Sequence, residues 1–496
     1  MSAPGGMFDS VRRGVMWSAG TFFAGRGLTF ISTLILARVL TPDDFGVVAA
    51  IIVFLGFIEL GSDVGMNATI VYEQESGVTP RVQTAFTINL LAATALTAIG
   101  VAVAPLVAAL FNMEAHTNLF RLSALSLLGI GLGNVHDGLL MRGLDFRRRA
   151  IPGIVRAIVR GIVSIVLALV GLGAGALVAG MLAGTAVWTV ALWVLVPLRP
   201  TFRLDRGIAR SMVGYGAGAA VLEVVAVLAS RTDAIVVGRV LGERALGLYS
   251  MAFRLPELLI ASISWNISSV AFPALARKRA NDDMPALANA TLTQLRFQCV
   301  FAVPVAAGLA VLASPTVVTL FGDQWAQAGP VMSAVAVASG LTAIAFPLGD
   351  VFKAIGRQWT IVAMNVIQLP LLIAVMIAVA PTGIVAVAWA RAGISALFAV
   401  ALIGAVMRVL HLRVGPVIAS IWPALAAGAG VAAGAGAVRL AWPSLSIGPV
   451  IAGTVAAALC GAAALRVVAP EALNDLRRLL PGRFRGRPAA AAATER

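Results

Sequence analysis

Leu36-Ala37-Arg38-Val39-Leu40-Thr41-Pro42-Asp43-Asp44-Phe45-Gly46 is the stretch whose reading decides the fold. It lies inside Thr29 to Gly77, where one apolar helix ends, a short polar hinge follows, and a second apolar helix begins. Thr41 suits an N-cap, Pro42 the first helical position, and Asp43 and Asp44 the positive end of the helix dipole. About 200 residues later a related hinge reads Gly238-Arg239-Val240-Leu241-Gly242-Glu243-Arg244-Ala245-Leu246-Gly247. Arg38, Val39, Leu40 and Gly46 align without a gap on Arg239, Val240, Leu241 and Gly247. Both hinges fall between the first two helices of a half, so the chain reads as two similar halves.

Working outward, 60% of the residues are hydrophobic and only 12% charged, with a mean hydropathy of +0.95. A soluble domain carries about twice that charge. Apolar runs recur too often for a signal peptide leading a soluble domain. The chain is all-α and polytopic in a membrane. Its net charge of +15 fits arginine-rich loops on one membrane face rather than nucleic acid binding. Cys299 and Cys460 stand apart in apolar stretches, and His116, His136 and His411 are scattered, so no disulfide framework or zinc cluster is expected.

A helix needs about 20 residues to cross the hydrocarbon core. On that ruler about 14 spans fit, near 14–37, 43–70, 82–111, 118–141, 151–171, 174–197, 211–237, 245–272, 287–320, 328–353, 358–380, 382–407, 414–437 and 446–467. The organisation is a six-helix lobe over 1–207, a second over 208–410, two additional helices over 411–470, and a tail over 471–496 that is amphipathic from Glu471 to Leu480 and then disordered. Alternate loops hold most of the basic residues: Arg12-Arg13, Arg147-Arg148-Arg149, Arg277-Lys278-Arg279, Lys353 with Arg357, and Arg408 with Arg413. By the positive-inside rule both termini are cytoplasmic. Six spans per lobe give the lobes the same orientation, as parallel repeats about an axis along the membrane normal.

Charges inside spans carry the functional reading, because an ionisable residue at mid-membrane costs about 2.5–3.5 kcal/mol and usually faces a cavity or a partner. Arg26, between Gly25 and Gly27, sits about 20 Å from the start of its span, and Arg254 about 13 Å from the start of the eighth. Arg160 and Arg391 also fall inside spans, and Arg231 near a span end. Cations from both halves at similar depth point to a cationic cavity that holds an anionic substrate. Guanidinium binds phosphate oxygens bidentately and keeps its charge. Snorkelling is the equal alternative for Arg231 and Arg156. A local pair with Glu257 is open to Arg254.

Carboxylates form a second set. Glu59 and Asp63 share a helix face, where two adjacent carboxylates would share a proton, bind a cation, or pair with an arginine. Asp233 and Glu223 lie in span seven. His136-Asp137 has no nucleophile beside it and reads as structural. Pro256, Pro304, Pro347 and Pro370 interrupt spans 8 to 11, and bent helices suit a moving transporter.

The hinge, with Glu59-Leu60-Gly61-Ser62-Asp63-Val64-Gly65, resembles the opening of the polysaccharide transporter family, the Wzx-type and colanic-acid-type exporters of the multidrug/oligosaccharidyl-lipid/polysaccharide superfamily. Further similarity lies in Leu140-Met141-Arg142-Gly143-Leu144-Asp145-Phe146, Gly247-Leu248-Tyr249, Phe272-Pro273-Ala274-Leu275 and Leu320-Phe321-Gly322-Asp323-Gln324-Trp325, over about residues 8 to 410. The resemblance implies a MATE-like, V-shaped transporter that flips undecaprenyl-diphosphate-linked oligosaccharide across the bacterial inner membrane for lipopolysaccharide, capsule or exopolysaccharide synthesis. It implies that Arg26 and Arg254 hold the diphosphate and that no catalysis or cofactor is involved. It implies coupling to Na+ or H+, with Asp233 and Asn365 as candidate ligands, although the acidic residue expected in span 11 is absent. Partners so implied are the lipid-linked oligosaccharide, membrane lipid and a polysaccharide polymerase, for a monomer that binds no nucleic acid. A multidrug or cation antiporter and a peptidoglycan-precursor flippase share the superfamily and stand as alternatives. A membrane glycosyltransferase or polymerase would need a large outer loop or clustered acidic metal ligands, and neither is present in the sequence.

Overall fold

A computed structural model describes residues 25–59, 78–143, 145–198, 202, 204–281 and 283–468. Asp63, the first half of span one, the second half of span two and the amphipathic tail lie outside the described residues. The helices are α1 (25–39), α2 (Pro42–Glu59), α3 (Val78–Leu110), α4 (Thr117–Arg142), α5 (Phe146–Leu169), α6 (Ala174–Leu195) and α7 (Arg206–Ala252). They continue as α8 (Ser262–Ala280), α9 (Met284–Val311), α10 (Ala313–Phe321), α11 (Ala328–Ala354), α12 (Gln358–Val379), α13 (Ile384–Val409), α14 (Val414–Ala441) and α15 (Ile447–Val468). Eleven helical stretches are long and apolar enough to cross a membrane, and one of them, Val227–Ala280, is long enough for two crossings. With α1 and α2 added, the count reaches the fourteen read from the sequence.

Two boundaries have clear local causes. α7 carries spans seven and eight across a break at Gly242, whose φ of 84° and ψ of −177° favour glycine. The expected single span over 287–320 is instead two helices, α9 and α10. Pro315 has no N–H to donate to the Val311 carbonyl. That carbonyl accepts instead from Arg439 Nη1 of α14 at 2.6 Å. Span eight is interrupted as expected: a one-turn helix Arg254–Pro256 leads into a π-helical turn, Glu257–Ala261, ahead of α8.

The chain divides into two compact units. The first comprises residues 1–254, 317–331 and 359–394, and the second 255–316, 332–358 and 395–496. In the first, the two hinges found in the sequence meet. A Cβ on Gly46 would lie 1.9 Å from the Glu243 carbonyl oxygen, and one on Gly247 would lie 1.8 Å from that of Pro42. α2 and α7 therefore touch backbone to backbone through aligned glycines. Thr41 caps α2 as anticipated: its Oγ1 accepts from Asp44 N at 3.3 Å, and the Asp44 carboxylate accepts from Thr41 N at 3.0 Å.

A second repeat frames the hinges. Ala109-Leu110-Phe111 runs off the end of α3, and Thr319-Leu320-Phe321 ends α10. Each is followed by a residue of positive φ, Asn112 at 56° and Gly322 at 107°, and then a short 3-10 turn. The hinge arginines cap these ends reciprocally. Arg38 Nη2 donates to the Thr319 carbonyl at 2.9 Å, and Arg239 Nη1 to the Ala109 carbonyl at 3.3 Å. Trp325 Nε1 donates to the Ala37 carbonyl at 2.8 Å, and its ring meets Phe45 edge-on.

In the second unit, α14 and α15 pack on each other and α14 packs on α9. Small residues set the spacing: Gly434 faces the Ala456 backbone, and Gly461 faces Val431.

Candidate functional site

Within the first unit, α5 and α6 pack closely because α6 presents glycines. A Cβ on Gly180 would lie 2.7 Å from the Arg160 carbonyl oxygen, and one on Gly184 3.0 Å from that of Arg156. This close approach fixes α5, which carries Arg156 and Arg160 one turn apart. Arg156 lies 5.5 Å over the Trp188 ring and donates to Thr185 Oγ1 at 3.3 Å. Arg160 is half-buried and lies within the electrostatic reach of Arg156 and Arg254. Among the described residues Arg160 has neither a side-chain hydrogen bond nor an ion pair. α1 meets α5 where a Cβ on Gly161 would lie 2.3 Å from Ser32 Oγ. Both helices are odd-numbered spans and run the same way. Counting back from that contact at 1.5 Å per residue places Arg26 roughly level with Arg156.

The remaining sequence candidates fall around this cluster or apart from it. Glu59 ends α2 and is exposed; it lies within reach of Arg156 and of Arg231, which is exposed on α7. The pairing alternative for Glu59 thus has basic side chains to draw on. Glu223 is placed on α7, and its side chain is not described. Asn365 is half-buried on α12. Arg391 and Asp233, assigned different tasks from sequence, meet: Arg391 Nη1 lies 2.9 Å from Asp233 Oδ2. Tyr249 donates its hydroxyl to the same oxygen at 2.8 Å, and the Ala234 N–H donates to Oδ1 at 2.9 Å. The Arg391 guanidinium also lies 5.8 Å from the centre of the Phe253 ring. Tyr249 was visible only as part of Gly247-Leu248-Tyr249; nothing in its spacing announced that it would reach Asp233.

His136 and Asp137 do not act together. Asp137 accepts two hydrogen bonds from Arg149, at 2.9 and 2.8 Å, while the His136 ring stacks on Trp193 at 5.2 Å. The described residues contain no group of three or more histidine, cysteine or acidic side chains able to hold a metal.

These features define a polytopic α-helical membrane protein with arginines gathered inside an apolar helical unit. Its fold is that of the MATE-like transporters. It aligns with the structure titled lipid II flippase MurJ, inward closed conformation, with a TM-score of 0.75 at 15% identity, over 94% of this chain and 100% of that one. It aligns with an inward-facing multidrug resistance MATE family transporter at a TM-score of 0.67 and 15% identity, over 78% of this chain and 94% of that one. The chain belongs to the polysaccharide biosynthesis protein family, whose sequence profile matches residues 35–330. Among curated relatives it is 29% identical over 340 residues to the succinoglycan biosynthesis transport protein ExoT of Rhizobium meliloti (strain 1021), covering 67% of each chain.

Proposed function

We propose that this protein exports polysaccharide building blocks by flipping an oligosaccharide linked to a lipid diphosphate, undecaprenyl diphosphate, across the bacterial inner membrane. The observation that carries this reading is Arg160. It is a cation inside an apolar helical unit, with Arg156 and Arg254 as its strongest charged neighbours and no ion pair among the described residues. Like charges grouped in low dielectric repel strongly, so the group is stabilised most by an anion rich in charge. A diphosphate supplies one and matches guanidinium geometry. Arg26 lies level with this group, Arg254 within its field, and Arg231 at its edge. Arg391 already holds Asp233 and serves the substrate more remotely.

Family membership and the relative named as a succinoglycan transport protein support this reading over drug export. No bond is made or broken: the work is differential binding in two conformations. Turnover is coupled to Na+ or H+ through Glu59 and Asp63, with Asp233, Glu223 and Asn365 as further candidates. A polysaccharide polymerase takes up the product, and the chain acts as a monomer.

The deciding experiment reconstitutes the protein in vesicles and follows outward movement of a prenyl-diphosphate oligosaccharide. Arg160→Ala should slow it by at least about tenfold, and Arg160→Lys should keep part of the rate, since the charge stays and the fork is lost. An unchanged rate in Arg160→Ala at equal protein level removes the arginine group from the mechanism.

A further inference from the structure

In the second unit, α8, α9 and α11 bury a group of polar side chains that the flippase reading does not use. Asp350 of α11 is 3% exposed. Its Oδ2 accepts from the Ser268 hydroxyl of α8 and from Gln294 Nε2 of α9, the latter at 3.1 Å. A carboxylate only accepts, so Gln294 must turn its amide nitrogen to it, which leaves Gln294 Oε1 over. That oxygen is buried without a partner, and so are Ser264 Oγ and both polar atoms of Gln298. Ser264 is 0% and Gln298 1% exposed.

Helix geometry puts these orphans together. α8 and α9 are antiparallel neighbours joined by a short turn. Ser268 and Gln294 lie about 18 and 15 Å from the helix ends at that turn, and Ser264 and Gln298 about 24 and 21 Å. Ser264 stands one turn beyond Ser268 and Gln298 one turn beyond Gln294, each on the same helix face and at matched height. On α11, Pro347 has no N–H for the Ala343 carbonyl, so that oxygen lacks its helical donor between the Asp350 layer and the next. The next layer is apolar, with Ile260, Ala302, Ala306 and Ala343 in one buried cluster. The space is small, because α11 approaches α9 until a Cβ on Gly340 would lie 2.8 Å from Ala306.

We infer that this pocket is a binding site for a monovalent cation of sodium's size. Its oxygens are one carboxylate, the amide oxygens of Gln294 and Gln298, the hydroxyls of Ser264 and Ser268, and the Ala343 carbonyl. All are hard donors, and only one is charged, which suits a single positive charge rather than calcium, whose sites gather several carboxylates. Lys353 is the competing cation. Its ammonium lies 3.8 Å from Asp350 Oδ1, beyond hydrogen-bond reach, and its side chain is 58% exposed. It therefore screens the carboxylate from the surface side without filling the oxygen-lined side. This inference does not rest on the flippase reading, and its test is independent of transport.

The test uses the full chain in detergent and measures radioactive sodium binding, with melting temperature in NaCl against choline chloride as a second readout. Wild type should bind sodium saturably, and NaCl should raise its melting temperature. Gln298→Leu should weaken binding by about tenfold or more, while its melting temperature in choline chloride stays equal or rises, because buried unpaired atoms have gone. Asp350→Asn should abolish binding, and Lys353→Gln should tighten it. If neither readout responds to sodium, the pocket holds water or a proton only. If Gln298→Leu and Asp350→Asn keep the wild-type response, sodium binds elsewhere. Either result overturns the inference.

Discussion

Arg391, Asp233 and Tyr249 show what one buried interaction does in this fold. Asp233 is nearly inaccessible, and its partners converge on two oxygens: a guanidinium and a phenol on Oδ2, and a backbone N–H on Oδ1. Removing one member of a buried ion pair leaves an uncompensated charge, which costs about 3–5 kcal/mol, whereas replacing both members with neutral groups is often close to neutral. Asp233→Asn or Arg391→Met alone should therefore destabilise the protein by about 3 kcal/mol. The double variant should recover most of that loss, and Tyr249→Phe should cost about 1 kcal/mol. Unfolding of the four variants in detergent checks this. A double variant as unstable as the sum of its singles would mean that the two side chains do not depend on each other. Both charged residues were legible in the sequence as ions inside spans. Their pairing was not, because they are 158 positions apart and intramembrane charge alone does not say whether it faces a partner or a cavity.

Among the elements, the packed hinges tie α2 to α7. A glycine at 46 or 247 is needed because a methyl group there would occupy the space of a carbonyl on the opposite hinge. Gly46→Ala and Gly247→Ala should each destabilise by about 1–3 kcal/mol through forced backbone displacement. Gly56 offers the control, since it lies in the same helix with nothing within 4 Å of its added Cβ. Gly56→Ala should be neutral or stabilising by up to about 1 kcal/mol. Melting temperatures of the three variants decide; equal behaviour at all three sites would contradict the contact. The glycine alignment was readable because four identities fell at one spacing. The companion repeat, Leu110-Phe111 with Leu320-Phe321, escaped because only two residues recur and the expected ninth span ran unbroken through Pro315. Its signal was that proline, placed where a helix must lose a hydrogen bond.

At the scale of the molecule, the reciprocal clasp bears on topology. Arg38 at the end of α1 bonds the end of α10, Arg239 bonds the end of α3, and the Gly46 hinge touches Glu243. The ends of spans one, three, seven and nine thus meet at one level. That is possible only if each pair of them is separated by an even number of crossings, as the fourteen-span count requires. Five further spans follow α10, and an odd number of further crossings predicts a C-terminus on the side opposite to the clasp. The basic helix ends Arg147-Arg148-Arg149 and Arg277-Lys278-Arg279 carry the charge excess from which the positive-inside rule predicts a cytoplasmic side. The span count was legible from hydropathy alone, since a bilayer dictates span length. The chemistry within the layer was less legible, because it depends on which helix faces meet. A protease-sensitive tag at either end should be protected in sealed, right-side-out cells, while a cysteine placed at Glu114, in the loop after α3, should be labelled by a membrane-impermeant maleimide. Labelling of both ends from outside would invert the orientation, and labelling of one end alone would break the even count and, with it, the registry of the clasp.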